Sequence, residues 1–421
     1  MPPSGVSLLG LALLSAGCAV AAPVPSAPSA SEIPRLEAEL AGDTTDVPTR
    51  VRLGAAYRAA DRAGEARGVL ERAVAREPEN AGAVLLLGLT YEDLGLHSQA
   101  RELYERYERV GRSPEVREAL RSRLALLQRR ELEDATRAAL AREAELARTP
   151  PQSRSVAVFP FLYAGSDSAL RPLSRALADM LATDLSQTSR VTVLERARVQ
   201  MLLDEMKLSE SGLVHPSTAV RSGHLLGAEH VVQGRFAGTE RALELQAAVV
   251  RSTTSGSPSA APLLARRGEA RRLFDLEKAM AFDLFRALGV DLTPAERELV
   301  NRRPTENLQA VLAYGRGLEA ADAGDFPQAV RHFTEATRFD PGFAAARQQA
   351  ERATASASAQ RTTTRQLAQR GSGELGSPAP EALSAESLVP SLLGRDPASE
   401  ALGTEGIGRR EAVVEIIVRR P

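Results

Sequence analysis

The sequence predicts a multidomain chain that is all-α in its first and later parts and α/β in the middle. Three observations carry that reading. Between 47 and 112, a pattern of Leu, Gly, Tyr and Ala returns after 34 residues, the signature of stacked helical pairs. Between 153 and 302, short apolar runs alternate with stretches whose leucines recur every three or four positions, as strands and amphipathic helices do. A chain of 421 residues also exceeds what one hydrophobic core organises.

The chain opens with an apolar run, Val6 to Leu14, followed by small residues, and 1–17 reads as an export signal that is removed. Ser15, Ala16 and Gly17 precede Cys18, the single cysteine, and resemble the bacterial lipobox. That resemblance implies cleavage between Gly17 and Cys18 and a lipid on the Cys18 sulfur. It departs at Ser15, where leucine is usual, and Met1 to Gly5 lacks lysine and arginine. A competing A-x-A site, Ala19 and Ala21, would instead leave a soluble periplasmic protein without cysteine. Under the lipid reading Ala19 is not the aspartate of an inner-membrane retention signal, so the expected location is the periplasmic face of the outer membrane. Residues 18–46, with Pro23, Pro25 and Pro28, are then the tether.

In the repeat region, Leu53, Gly54, Tyr57, Ala66 and Leu70 recur as Leu87, Gly88, Tyr91, Ala100 and Tyr104. Small Gly and Ala let antiparallel helices approach, bulky Leu and Tyr fill the seam, and Pro78 closes the first unit. This is tetratricopeptide spacing, with two repeats in 47–112. Ser113 and Pro114 open a long helical segment, 113–149. Its stripe of Val116, Leu120, Leu124 and Leu127 closes the stack, and beyond Arg130 mixed charge predicts a solvated helix up to Pro150 and Pro151.

The central module starts with Ser155 to Phe161, a run apolar enough to be covered on both faces. Leu170, Leu173, Leu177, Met180, Leu181 and Leu185 give the first helix, and Val191 to Leu194 the second strand. Val199, Leu202 and Met206 mark another helix, and a shorter one follows from Pro216 to a C-terminal cap at Gly227. His230 to Phe236 is the third strand, and Leu243, Leu245, Ala247 and Val249 alternate as a half-exposed fourth. Leu273, Leu276, Met280, Leu284 and Leu288 form a last helix, and Thr293, Pro294 and Glu296 a capping box for one more. This order predicts a three-layer α/β domain over 153–302.

The segments "SVAVFPF", "LADMLATDLSQTSRVTVLERARVQMLLDEMKLSESGL" and "GAEHVVQGRF" resemble the CsgG family of bacterial envelope lipoproteins, over roughly 150 of the 421 residues. The resemblance implies protein partners in the envelope and homo-oligomerisation through this module, and it brings no catalytic residue. In curli-secreting members two inserted hairpins build a membrane barrel. Here Ala237 to Ala270 has no Phe, Tyr or Trp to form interfacial girdles, and Ser209 to Ser217 is too short. A periplasmic adaptor is therefore expected, with an oligomeric secretion channel as the alternative.

A third repeat is expected at 305–350, where Gly317, Gly324, Ala329, Phe333, Ala336 and Pro341 keep the pattern and Arg316 and Ala320 depart from it. Residues 351–409 have the Ser, Thr, Ala, Gln, Gly and Pro composition of a linker. Residues 410–421, "AVVEIIVRR" within them, read equally as a strand or a frayed apolar tail.

Several function classes lack a signature. Net charge is -1, Trp is absent, and no basic block is interleaved with aromatics, so no nucleic-acid partner is expected. The five histidines, His97, His215, His224, His230 and His332, have no zinc-site spacing. Asp167, Asp179 and Asp184 lie near no evident nucleophile. Gly371, Gly373 and Gly376 match a dinucleotide fingerprint but follow no strand and open no periodic helix, so they read as linker glycines. No metal, cofactor or enzymatic activity is expected.

Overall fold

A computed structural model describes residues 28–207, 215–239, 241–252, 259–260 and 262–375, all within the unit Met1–Ser377. The signal, the Gly17–Cys18 junction, the linker beyond 375 and the 410–421 segment lie outside the described residues.

Helices α1 (Ile33–Gly42), α2 (Val47–Ala59), α3 (Ala63–Arg76), α4 (Ala81–Asp93) and α5 (His97–Val110) form the first stack. Asp46 and Asn80 cap α2 and α4 by accepting the amides of Thr49 and Ala83, which satisfies donors that a helix start leaves open. The turn after each helix is the same. Asp61 and Gly95 take left-handed φ values of 56° and 72°. The next residue then donates back to a carbonyl five positions earlier, Arg62 to Tyr57 at 2.9 Å and Leu96 to Tyr91 at 2.8 Å, a Schellman closure. Within each pair a glycine faces a bulky residue: a Cβ on Gly54 would lie 2.5 Å from Leu70, and one on Gly88 2.8 Å from Tyr104.

Helix α1 obeys the same register. Leu36 stands 34 residues before Leu70 and is fully buried, and Tyr57 donates to Glu37 as Tyr91 does to Glu71. It is the outer helix of a preceding repeat. The expected tether is therefore corrected from Ser29 onward, because Ile33 and Leu36 give this stretch an apolar face that the repeats bury.

Helix α6 (Pro114–Ala141) is capped by Ser113 and buries Val116, Leu120 and Leu127 on the stack. Its second half is less solvated than its charge suggested. Thr136 is buried, and Ala139 and Leu140 join α7 (Glu143–Leu146) against the α/β domain.

In that domain β1 (Gln152–Val158) runs parallel to β3 (Thr192–Val193) and to β4 (Ala228–Thr239), which β2 (Leu162–Tyr163) also joins in parallel. Strand β5 (Ala242–Arg251) is antiparallel to β4, and β6 (Ser259–Ala260) and β7 (Leu264–Gly268) are antiparallel to β5. Alternation sends Val156, Val158, Val232 and Val249 to one face, under α8 (Leu173–Leu185) and α11 (Leu273–Ala287). Ala157, Phe159, Val231 and Val250 go to the other, under α9 (Arg196–Glu205) and α10 (Pro216–Leu226). Gly227 caps α10 at φ 67°, and the capping box of Thr293 and Glu296 opens α12 (Pro294–Asn301).

Helices α13 (Leu308–Asp322) and α14 (Phe326–Phe339) repeat the tetratricopeptide geometry. Gly324 has φ 76°, Asp325 donates to Ala320 at 2.9 Å, and a Cβ on Gly317 would lie 2.5 Å from Phe333. Unlike the first stack, this pair shares one core with the sheet, because α13 packs on α8 so closely that a Cβ on Gly315 would lie 2.0 Å from the Pro172 carbonyl.

The expected linker from 351 is corrected as far as 375. Helix α15 (Ala344–Arg361) runs through "ATASASAQ", and α16 (Thr364–Arg370) and a 3-10 turn, Gly371–Glu374, follow. Alanine is the best helix former, and the small Ala353, Ser356, Ala357 and Ala359 bury against neighbouring helices. The same small residues that suggested a linker permit close helix packing.

Candidate functional site

The helices α2, α4 and α6 share an inner side, and α16 lies along it in contact with all three. Helix α4 shows why this side is a surface for something. From Gly82 to Thr90 every residue is buried, so the helix has no polar face, as expected of one covered all round. Helices α3 and α5 cover its outer side, and α16 with the 3-10 turn covers the inner one.

Leu367 and Leu375 are buried within the repeat core. Thr364 Oγ1 donates to Asp93 Oδ1 at 2.7 Å, and Arg365 Nη2 to Asp61 Oδ1 at 2.9 Å. Glu374 Oε1 accepts the amides of Arg112 and Ser113 at 2.9 and 2.8 Å, which puts a carboxylate at the positive end of α6. Burial, and then the Glu374 carboxylate, push the Tyr107 phenol far above its usual range. The approach is close: a Cβ on Gly82 would meet the Glu374 carbonyl at 2.8 Å, and one on Gly371 would meet Leu85 at 2.2 Å.

The trough is not filled. A cavity of about 640 Å³ remains between its walls, Ala55, Arg58, Ala59 and Leu86 among them, and the Thr364, Ala368 and Leu375 side of the inserted segment. At its floor Arg58 contacts Asp93 at 2.8 Å and Thr90 at 3.0 Å, with its side chain only 6% exposed. Its Nε is buried with no partner among the described residues. Burial lowers the Arg58 pKa, against the pull of Asp93. Next to it Glu92 accepts from Arg123 and from Tyr104 Oη, at 2.6 and 2.7 Å. Burial opposes the charge on Arg123, and the Glu92 contacts outweigh it.

The ten repeat residues singled out from the sequence fall at the seams between helices. Leu53, Gly54, Tyr57, Ala66, Leu70, Leu87, Gly88, Ala100 and Tyr104 are buried and Tyr91 is half-buried. They build the trough rather than face it. The residues that line it, Arg58, Leu86 and Asp93, lie outside the repeat positions read from the sequence; the unbroken apolar run of α4 was the sign of a covered inner face.

The three aspartates are not brought together. Asp167 caps a 3-10 turn through the Ala169 amide, and Asp179 accepts from Tyr314 at 2.8 Å. Asp184 pairs with Lys278 at 2.7 Å. Asp179 also lies 3.4 Å from Arg196, in a junction where Asp322 of α13 pairs with Arg196 at 2.7 Å and Arg175 at 2.8 Å. Burial raises the Asp179 pKa even beside Arg196. Among the described residues no cluster of three or more His, Cys, Asp or Glu has metal-site geometry, and no helix is long and apolar enough to cross a membrane.

The model of the curli production assembly/transport component CsgG matches residues 137–246, and a tetratricopeptide repeat model matches 35–124, which begins in α1. No curated protein matches the chain. Among solved structures, the LpoB C-terminal domain from Salmonella enterica is 16% identical over 30% of this chain and 91% of that one, with a TM-score of 0.22. That likeness is too weak to bear on function.

Proposed function

In a chain that carries tetratricopeptide repeats and a CsgG-like domain, we propose a non-enzymatic adaptor of the bacterial envelope, held at the periplasmic face of the outer membrane by a lipid on Cys18. The trough binds a segment of a partner protein, and the α/β domain fixes the trough relative to a second partner or a second copy. One observation carries this reading: the inner side of α2, α4 and α6 already receives a helix and turn, and still leaves about 640 Å³ open. Such grooves recognise short helical segments through a few apolar anchors and polar contacts.

The test has two parts. A photo-crosslinking side chain at Ala59 in intact cells should capture a discrete envelope protein, and the same group at Arg148 should not. Mass spectrometry of the mature N-terminus should find acylated Cys18, and Cys18→Ser should remove the chain from the outer membrane. Identical crosslinks from both positions would defeat the trough as the binding site. An unmodified Ala22 terminus would defeat the tether.

A further inference from the structure

The segment in the trough differs from ordinary core. Where the segment meets the repeats, an open cleft of about 640 Å³ runs along it, and at the floor of that cleft the buried Arg58 Nε has no acceptor among the described residues. Its anchors are few: Leu367, Leu375, the Thr364 contact to Asp93 and the Glu374 cap on α6. It joins α15 through Thr362 and Thr363 alone. At both closest approaches, Gly82 and Gly371, a glycine supplies the space.

Resting on the adaptor reading, we propose that residues 364–375 are an internal occupant of the trough, competing with a partner peptide of like chemistry. The partner is a helix followed by a turn, with a leucine in the place of Leu367 and an acidic residue seven positions on, in the place of Glu374. It also carries a carboxylate or amide in its first helical turn, which reaches Arg58. That last group gives it an advantage, since an unpaired buried donor is costly and the internal segment leaves this one unmatched. The chain would thus hold its trough half-closed until such a partner is present in quantity.

The probe is a fluorescent peptide of residues 362–376, titrated into the full chain. Wild type should bind it weakly. Leu367→Asp, which expels the buried leucine of the internal copy, and the milder Glu374→Gln should each bind it at least tenfold more tightly. A peptide carrying Glu374→Gln should bind either variant at least tenfold more weakly than the native peptide. Amide exchange in α4 reports whether the repeats remain folded, so Glu374→Gln keeps the test valid if Leu367→Asp does not fold. Equal affinity for wild type and variants would overturn the competition while leaving the trough a binding site. No binding to a variant whose α4 stays protected would overturn both.

Discussion

The first stack and the α13–α14 pair are built alike and used differently. Both close with a left-handed residue and set a glycine against a bulky side chain sixteen positions later. The aspartates Asp93 and Asp322 even occupy the same repeat position, five after Gly88 and Gly317. Around Asp322 lie Arg175 and Arg196 of the α/β domain, and its side chain is 6% exposed. Around Asp93 lie Arg58 and an inserted threonine, and it is 33% exposed beside a cavity. Repeat geometry therefore sets the scaffold. What packs on the inner side decides whether a repeat binds or braces.

The largest effect should come from emptying the seam of each pair. Phe333→Ala removes a fully buried ring from the core shared with the sheet, at a cost of about 3–5 kcal/mol. It should accelerate amide exchange in α8 as well as in α13. Leu70→Ala, at the equivalent seam, should cost about 2–5 kcal/mol and leave α8 exchange unchanged, because its cluster is separate. Denaturant unfolding with exchange mass spectrometry reads both. If Leu70→Ala also loosens α8, the two stacks form one cooperative unit and the contrast fails.

The aspartates sharpen the contrast at smaller scale. Asp322→Asn takes a buried charge from Arg175 and Arg196, which are half-buried and keep Glu319 at 3.8 Å and Asp179 at 3.4 Å, so it should cost about 2–3 kcal/mol. Asp93→Asn keeps an acceptor for Arg58 at a position water reaches, and should cost about 1–2 kcal/mol. Equal unfolding midpoints for the two variants would mean that the cavity beside Asp93 is as dry as the junction at Asp322.

Much of this was legible because repeats and buried strands write themselves periodically. Gly54, Gly88 and Gly317 with their bulky partners announce helix pairs, and the unbroken Ser155 to Phe161 run announces a strand covered twice. The inner occupant was not legible. "ATASASAQ" has the composition of a linker, and composition alone does not separate a linker from a helix of small residues packed tightly on its neighbours. Leu367 is one apolar residue in a polar stretch, below any periodic signal. Helix α1 was hidden for the same reason: Leu36 and Ile33 follow a Pro- and Ala-rich run, and only their alignment with the later register gives them away. Arg58 and Asp93 meet across two repeats, which no local pattern records.

The smallest expected effect bears on how the trough recognises its occupant. Arg365 and Asp61 bridge the inserted segment to the end of α2 at 2.9 Å, but their side chains are 59% and 86% exposed. A pair so hydrated gains little from Coulomb attraction and is screened by salt. Arg365→Ala should therefore change stability by less than about 0.5 kcal/mol, and amide exchange of residues 364–375 should stay within twofold of wild type. Raising the salt concentration should likewise leave that exchange unchanged. The reason is that the segment is held by the buried leucines Leu367 and Leu375 and by the sheltered Glu374, none of which salt reaches. A tenfold faster exchange in Arg365→Ala, reproduced in wild type by added salt, would show that surface charge and not insertion keeps the segment in place. The α13–α14 pair, braced by buried charge, and the first stack would then both be governed by ion pairs, differing only in how far water reaches them.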